Sequence, residues 1–370
     1  MKVIVIKNNL KEGLSAIGRI AGINPQLPIL KNVLLETIEN KIVLTATNLE
    51  IAIKFIVSGK IIENGSIATP VNILSNIISN IQSERLNIET RKNILDVKTD
   101  NYQASINSSL SDEFPLIPKI KNQNNYIELE SLLLKDALSQ VTLASQFSEL
   151  RPELNSIFIE YSVDSLKLVA TDSFRLAEKI INNTQFSSTN EESFSFLLPI
   201  QSAHELMRIL GDEGKVKMYR DENQVLFRAE QWELFSRMME GNFPDYRQIV
   251  PKKYGAEVLI SKEEFMNSLK LSGIFSANSN EIKLKVLENK KTIEISSSDQ
   301  SLGDNSYILP AKIEGSAKEI FFNWKYLSDG LKAVKSEEIF FGMNDDNKPA
   351  VIKSPKDISY FYLVMPILKA

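Results

Sequence analysis

Apolar and polar residues alternate with a period of two along most of this 370-residue chain, and stretches of helical spacing interrupt the alternation. Three segments open on a short alternating strand that runs straight into an amphipathic helix: residues 3–6 into 10–20, 126–129 into 132–144, and 258–260 into 265–275. Each continues with a pair of strands, 33–38 with 41–47, 156–161 with 166–171, and 282–287 with 292–297. A small polar turn follows each pair, at Thr47-Asn48, Thr171-Asp172 and Ser298-Asp299. A second helix comes later in each segment, behind a start signal: Thr69-Pro70 before 71–81, Pro199 before 200–210, and Asn323 as N-cap before 324–334. Further hairpin strands are predicted at 86–89 with 94–98 and at 216–219 with 225–229, with turns at Asn223-Gln224 and Asp345-Asp346-Asn347.

The segments recur at a fixed interval. Thr47 and Thr171 are 124 residues apart, Phe114 and Phe243 are 129 apart, and Asp172 and Asp299 are 127 apart. The first two segments also end alike, on Glu113-Phe114-Pro115-Leu116-Ile117-Pro118 and Asn242-Phe243-Pro244-Asp245-Tyr246. A long-period repeat of this kind predicts three tandem α+β domains over 1–121, 122–250 and 251–370, each with two helices on about eight strands.

Composition narrows the chemistry. The chain has no cysteine and one histidine, which excludes disulfides, thiol catalysis and Cys-based metal sites and leaves no two-His metal pair. His204-Glu205 starts a helical zinc pattern whose second His is missing, and neither a P-loop nor a G-x-G-x-x-G stretch occurs. No catalytic residue, metal or cofactor is expected. The apolar N-terminal stretch is shorter than a signal-peptide core, and the nine-residue apolar run 360–368 reads as a buried strand, so a cytoplasmic protein without membrane contact is expected. With 43 Lys+Arg against 47 Asp+Glu the net charge is −4, which gives no global attraction for a polyanion. The charge is unevenly placed. Helix windows 9–20, 70–81, 131–145, 200–210, 261–275 and 324–336 hold nine basic and six acidic residues, so the helices are +3 and the rest of the chain is −7.

Five short stretches carry a family resemblance: Leu27-Pro28-Ile29-Leu30 with Asn32, Ala170-Thr171-Asp172-Ser173-Phe174-Arg175-Leu176-Ala177, Glu205-Leu206-Met207-Arg208, Gly241-Asn242-Phe243-Pro244-Asp245-Tyr246, and Tyr362-Leu363-Val364-Met365-Pro366-Ile367. In this order over a three-repeat chain they resemble the bacterial DNA sliding clamp, the beta subunit of DNA polymerase III holoenzyme. The resemblance implies a head-to-tail homodimer that closes into a ring around duplex DNA, helices inside and sheets outside, with sheets continuing across the subunit junctions. It implies a processivity factor with no active site of its own. A size argument agrees with two copies: twelve helices packed about 10 Å apart close a circle about 38 Å across at their axes, whereas six leave about 9 Å of hole, too narrow for a duplex.

The resemblance also implies partners, namely the DNA polymerase III alpha subunit, the clamp loader and repair proteins, which insert short linear peptides into an apolar cleft between the second and third domains. Carried over, that cleft comprises Leu154, Thr171, Ser173, Arg175, Leu176, Pro244, Ile249, Leu363, Met365 and Pro366, with Tyr326 nearby. The DNA-facing positions are Lys11, Arg19, Asn24, Arg151, Arg208, Lys325, Lys332 and Lys335, and the subunit junction is Ile106 with Ile274 and Phe275. Several positions depart from the family pattern. Ser173-Phe174 stands where Gly-His is frequent, which implies a bulkier cleft rim. Val71-Asn72 and Ile200-Gln201 stand where a basic pair is frequent, and Asn24 where Arg is. Taken without the resemblance, the residues also admit a three-domain scaffold that binds no DNA, or an enzyme of unrecognised mechanism.

Overall fold

The alternating pattern becomes 27 strands and six α-helices in a computed structural model that describes residues 1–21, 27–287, 291–316, 319–344 and 347–368. Asn24 and the Asp345-Asp346 turn lie outside the described residues. The helices are α1 (Lys7–Ile17), α2 (Val71–Asn80), α3 (Ser131–Thr142), α4 (Ile200–Ile209), α5 (Lys262–Ile274) and α6 (Trp324–Ala333). The chain packs into two units.

The first unit comprises Met1–Leu132, Ser187–Asn190 and His204–Met238. Its larger sheet has nine strands. Eight of them run, in spatial order, Ile127–Glu130, Lys215–Arg220, Gln224–Arg228, Trp232–Arg237, Ile51–Val57, Lys41–Thr47, Asn32–Ile38 and Ser66–Pro70. The smaller sheet has five strands and ends on Gln103–Asn107. Helix α1 buries Leu10, Gly13, Leu14 and Ile17, the spacing of one helical face. Gly13 lets that face ride close on the larger sheet, since a Cβ there would sit 2.8 Å from Leu44 Cδ1.

The second unit comprises Leu133–Phe186, Glu191–Ala203 and Met239–Ala370. Its nine-stranded sheet runs Phe194–Pro199, Ser156–Ser162, Ser165–Thr171, Arg175–Asn182, Tyr360–Val364, Ala350–Lys353, Glu338–Met343, Ala256–Ser261 and Lys312–Gly315, and its four-stranded sheet ends on Gly303–Pro310. Helix α6 is capped by Asn323, whose Oδ1 accepts from the Lys325 amide at 3.0 Å, and buries Leu327, Ser328, Gly330, Leu331 and Ala333. Gly330 lies against the Tyr362 ring, where a Cβ would come within 2.5 Å.

The strand-to-helix junctions share one local device. The backbone N–H of Lys7, of Ser131 and of Lys262, each the first helical residue, donates to the carbonyl of Glu84, Gly214 and Glu337 at 2.7, 2.8 and 2.8 Å. Lys7 Nζ donates to the carbonyl of Ile81 just past α2, and Lys262 Nζ to that of Val334 just past α6. A cation there satisfies an orphan carbonyl and faces the negative end of the neighbouring helix.

Several expectations need correction. Helix α1 spans Lys7–Ile17 rather than 9–20, because the backbone tightens into a turn after Gly18, and α6 stops at Ala333 because Val334 is extended. Arg19 and Lys335 therefore lie off the helices while Lys7 joins them. The six observed helices hold eight basic and six acidic residues, +2 rather than +3. The apolar run 360–368 is a strand only to Val364, since Pro366 has no N–H for a ladder.

Candidate functional site

The expected cleft residues come together in the second unit around one hairpin tip. Strands Ser165–Thr171 and Arg175–Asn182 pair with Thr171 opposite Leu176, and the three residues between them form the tip. Asp172 Oδ1 accepts from the amides of Phe174 (2.9 Å) and Arg175 (3.0 Å), and Thr171 Oγ1 donates to the Arg175 carbonyl (2.7 Å) while accepting from the Ser173 amide (3.2 Å). This is the turn that an Asp and a Thr side chain build by substituting for backbone partners. Ser173 takes φ 77°, a left-handed conformation that glycine adopts without the steric cost a side chain incurs.

The strand Tyr360–Val364 lies beside this hairpin with Leu363 opposite Leu176, and the Met365 amide donates to the Phe174 carbonyl at 2.8 Å. The Ile367 amide then donates to the Phe321 carbonyl at 2.7 Å, so the tail 365–367 is laid along the hairpin tip after its ladder has ended. Two adjoining hollows result. A small one of about 130 Å³ is walled by Thr171, Leu176, Pro244, Ile249, Leu363 and Met365. A wider one of about 510 Å³ includes Asn323, Tyr326, Met365, Pro366 and Leu368. Ser173, Phe174 and Met365 border both, and Phe174 is 60% exposed. The floor is the core formed by Val169, Leu176, Tyr246, Val351 and Leu363. Burial, reinforced by the hydrogen bond that its hydroxyl donates to Glu178, pushes the Tyr246 phenol pKa up, which keeps it neutral.

Arg175 is the electrostatic centre. Its Nε donates to Asp172 Oδ2 (2.8 Å), its Nη1 to Asp329 Oδ2 of α6 (2.6 Å), and the guanidinium lies 4.4 Å from the centre of the Tyr326 ring. Burial works against its charge, but the carboxylates of Asp172 and Asp329 outweigh that penalty and its pKa is raised. Arg175 is thus neutralised within the chain and acts as a strut between the hairpin and α6, with Tyr326 stacked beneath it.

Two cleft expectations are altered. Leu154 is 2% exposed and belongs to the core rather than to the walls of either hollow. Arg151, expected to face DNA, borders the small hollow and donates to Ser173 Oγ at 3.1 Å and Glu153 Oε1 at 3.1 Å. Phe174 and Tyr246 also shape the site. Sequence reading noticed Phe174 only as a bulky departure, and Tyr246 only as the last residue of a family stretch.

Three of the six remaining cations expected to face DNA are engaged. Arg208 donates to Glu205 and to the carbonyls of Ser15 and Ala16 at the end of α1, another helix terminus met by a cation. Lys332 pairs with Asp329 and Lys335 with Asp136, at 2.7 and 2.6 Å, each an exposed lysine on a half-buried aspartate. Lys11, Arg19 and Lys325 are exposed. Of the junction residues, Ile274 is 63% exposed and Phe275 half-buried, but Ile106 is 4% exposed and packs into its own sheet. The surface offered there is the backbone edge of Gln103–Asn107, the last strand of the five-stranded sheet.

Three family profiles match consecutive parts of the chain: DNA polymerase III beta subunit, N-terminal domain over 1–118, central domain over 128–245, and C-terminal domain over 247–368. The beta sliding clamp of Synechococcus elongatus is 26% identical over 374 residues, covering 99% of both chains, and that of Bacillus subtilis is 26% identical over 380 residues with the same coverage. The crystal structure of the DNA polymerase sliding clamp from Bacillus subtilis matches with a TM-score of 0.94 at 26% identity, and that of the Thermotoga maritima DNA polymerase III beta subunit with 0.91 at 26%, each over 100% of both chains.

Proposed function

The chain belongs to the DNA polymerase III beta subunit family, the bacterial sliding clamps, and from that premise we propose that two copies join head to tail into a closed ring around duplex DNA. It is a DNA sliding clamp, which serves replication by holding a DNA polymerase to its template. The observation that carries this is the run of three family profiles along nearly the whole chain. The division into domains 1–121, 122–250 and 251–370 is part of this reading.

Ring closure has a physical route. Gln103–Asn107 ends the five-stranded sheet and Gly303–Pro310 ends the four-stranded sheet, so each copy carries two strand edges with unpaired backbone groups. Of the outer strands of the four sheets, these two are the ones proposed to pair, the first edge with the second edge of another copy, and two such contacts close a ring. Exposed Ile274 adds apolar contact at that junction.

Processivity then comes from topology rather than affinity. A closed ring leaves DNA only by opening, so weak phosphate contact suffices, and strong contact would slow sliding. Helices carrying only +2, with Arg208 and Lys332 already engaged and Lys335 paired just past α6, suit a lining that does not grip. Of the DNA-facing cations implied by the resemblance, Lys11, Arg19 and Lys325 are exposed, and Lys270 of α5 is exposed as well.

The two hollows at the 171–175 hairpin are the seat for partner peptides from the polymerase alpha subunit, the clamp loader and repair proteins. Met365 supplies an adaptable wall, Leu176 and Leu363 an apolar floor, and the neutralised Arg175 adds no unpaired charge that a peptide must meet. Among the described residues no helix is long and apolar enough to cross a membrane, and a replication role would be exercised in the cytoplasm. The solution mass tests the assembly: about 84 kDa, twice the 41.8 kDa of one chain, is expected at micromolar concentration. A stable monomer contradicts the ring.

A further inference from the structure

The tip of the first-unit hairpin between Lys41–Thr47 and Ile51–Val57 repeats the cleft hairpin bond for bond. Thr47 Oγ1 donates to the Ile51 carbonyl at 2.8 Å and accepts from the Leu49 amide at 3.0 Å, as Thr171 does with Arg175 and Ser173. Asn48 Oδ1 accepts from the amides of Glu50 (3.0 Å) and Ile51 (2.7 Å), as Asp172 Oδ1 does from Phe174 and Arg175. Leu49 has φ 78° where Ser173 has 77°. The neighbouring strand also corresponds: Phe235 pairs with Ala52 as Leu363 pairs with Leu176, and the Arg237 amide donates to the Glu50 carbonyl at 2.9 Å as that of Met365 does to Phe174.

The same backbone encloses a groove here too, of about 420 Å³. Phe235 and Ala52 form its floor, and Pro115 with Leu116 stands where Pro244 does in the cleft. Leu116 is 96% exposed and Leu49 44% exposed, an apolar rim with solvent over it. The charges differ from those of the cleft. Ile51 replaces the Arg175 strut, and the rim carries Glu50, Asp221 and Glu222 against Lys121 and Arg237. Glu50 meets Arg237 at 3.3 Å with both side chains about two-thirds exposed, a weak pair, and Asp221 accepts from the Lys121 amide at 2.9 Å. Glu222 is exposed and adds its negative charge beside them.

We propose that this groove is a second peptide-docking site, which takes an extended segment with two neighbouring branched apolar residues flanked by lysine or arginine. The apolar residues cover Leu49, Leu116 and Phe235, and the basic residue meets Asp221 and Glu222. The inference rests on the reading of the 171–175 cleft as a peptide seat, because it transfers that role to a duplicate of the same hairpin. Its occupant differs by charge, so the two sites select different partners and one chain holds two peptides at once.

The test uses the full-length protein and a fluorescein-labelled peptide Ser-Leu-Ile-Lys-Leu-Lys, with twins in which both lysines become glutamine or glutamate. Met365→Asp places a charge in the cleft wall and is the background for measuring the groove alone. On that background the lysine peptide is expected to bind one per chain by fluorescence anisotropy. Its affinity is expected to fall at least about tenfold with Leu116→Asp and with Glu222→Lys, and with the glutamate twin. Leu116 and Glu222 are exposed, so unchanged thermal melting is expected for these variants. Absence of saturable binding on the Met365→Asp background overturns the proposal, as does binding that survives either groove substitution or a glutamate twin that binds equally well. The cleft reading is judged separately, by whether the uncharged glutamine twin loses affinity when Met365→Asp is introduced into the otherwise unaltered protein.

Discussion

At residues 47–51 and at 171–175 a threonine hydroxyl and an Asx side chain hold the same turn, yet one tip carries Ile51 and an exposed Glu50–Arg237 pair while the other carries Arg175 bound to Asp172 and Asp329. The backbone follows from short-range hydrogen bonds that any Thr-Asx sequence can make. The binding chemistry follows from the few side chains projecting off that backbone, which were free to diverge. Tip geometry is therefore common to the two regions, while electrostatics and stability are local to each.

The largest effect expected is from Arg175→Ala, which leaves Asp172 and Asp329 without their shared partner and costs about 3 kcal/mol in chemical denaturation, whereas Ile51→Val at the matching position costs about 1 kcal/mol. Equal costs would mean that the Arg175 strut contributes nothing beyond packing. Alkaline pH separates the units next. Tyr246, Tyr254, Tyr326, Tyr360 and Tyr362, all in the second unit, have raised pKa values, with burial the leading cause. A folded-state pKa above the unfolded value of 10.0 stabilises the fold below pH 10 and loses that contribution as pH rises, at up to about 1.4 kcal/mol per pH unit for the deeply buried Tyr360 and Tyr362 and by much less for the more exposed Tyr254 and Tyr326. Hydrogen exchange should therefore quicken in the second-unit strands before those of the first between about pH 10 and 11. Quickening of both units together would contradict this.

Thr47→Val and Thr171→Val test the shared part of the design. Each removes two hydrogen bonds from a buried hydroxyl and is expected to cost about 1–2 kcal/mol, alike within about 0.5 kcal/mol. A large difference would show that the two turns are held by different forces. The smallest effect belongs to Glu50→Ala, which is expected to change stability by less than about 0.5 kcal/mol because its ion pair is exposed to water.

The strand-helix junctions, the Thr-Asx turns and the family stretches were legible in the sequence because each is a local pattern of a few residues. Helix ends were less so: the overrun at 18–20 and 334–336 depends on where a neighbouring segment takes over the last carbonyls. Charge roles were the least legible. Lys7, Lys262 and Arg208 are indistinguishable in sequence from solvent-facing cations, but each donates to a carbonyl at a helix end that only the folded chain brings near. Leu154 and Ile106 were expected at a surface from the family resemblance, and both are buried, which the sequence alone does not reveal. The parallel between Thr47-Asn48 and Thr171-Asp172 was visible from the start as a repeat, but its two grooves appear only when Pro115 and Pro244 fold beside the tips.

Encirclement is tested most directly by topology. The protein, loaded by a bacterial clamp loader onto a nicked circular duplex, is expected to remain bound through gel filtration and to be lost when a single restriction cut linearises the circle. Equal retention on circular and linear DNA would mean ordinary affinity for the duplex and would contradict the ring.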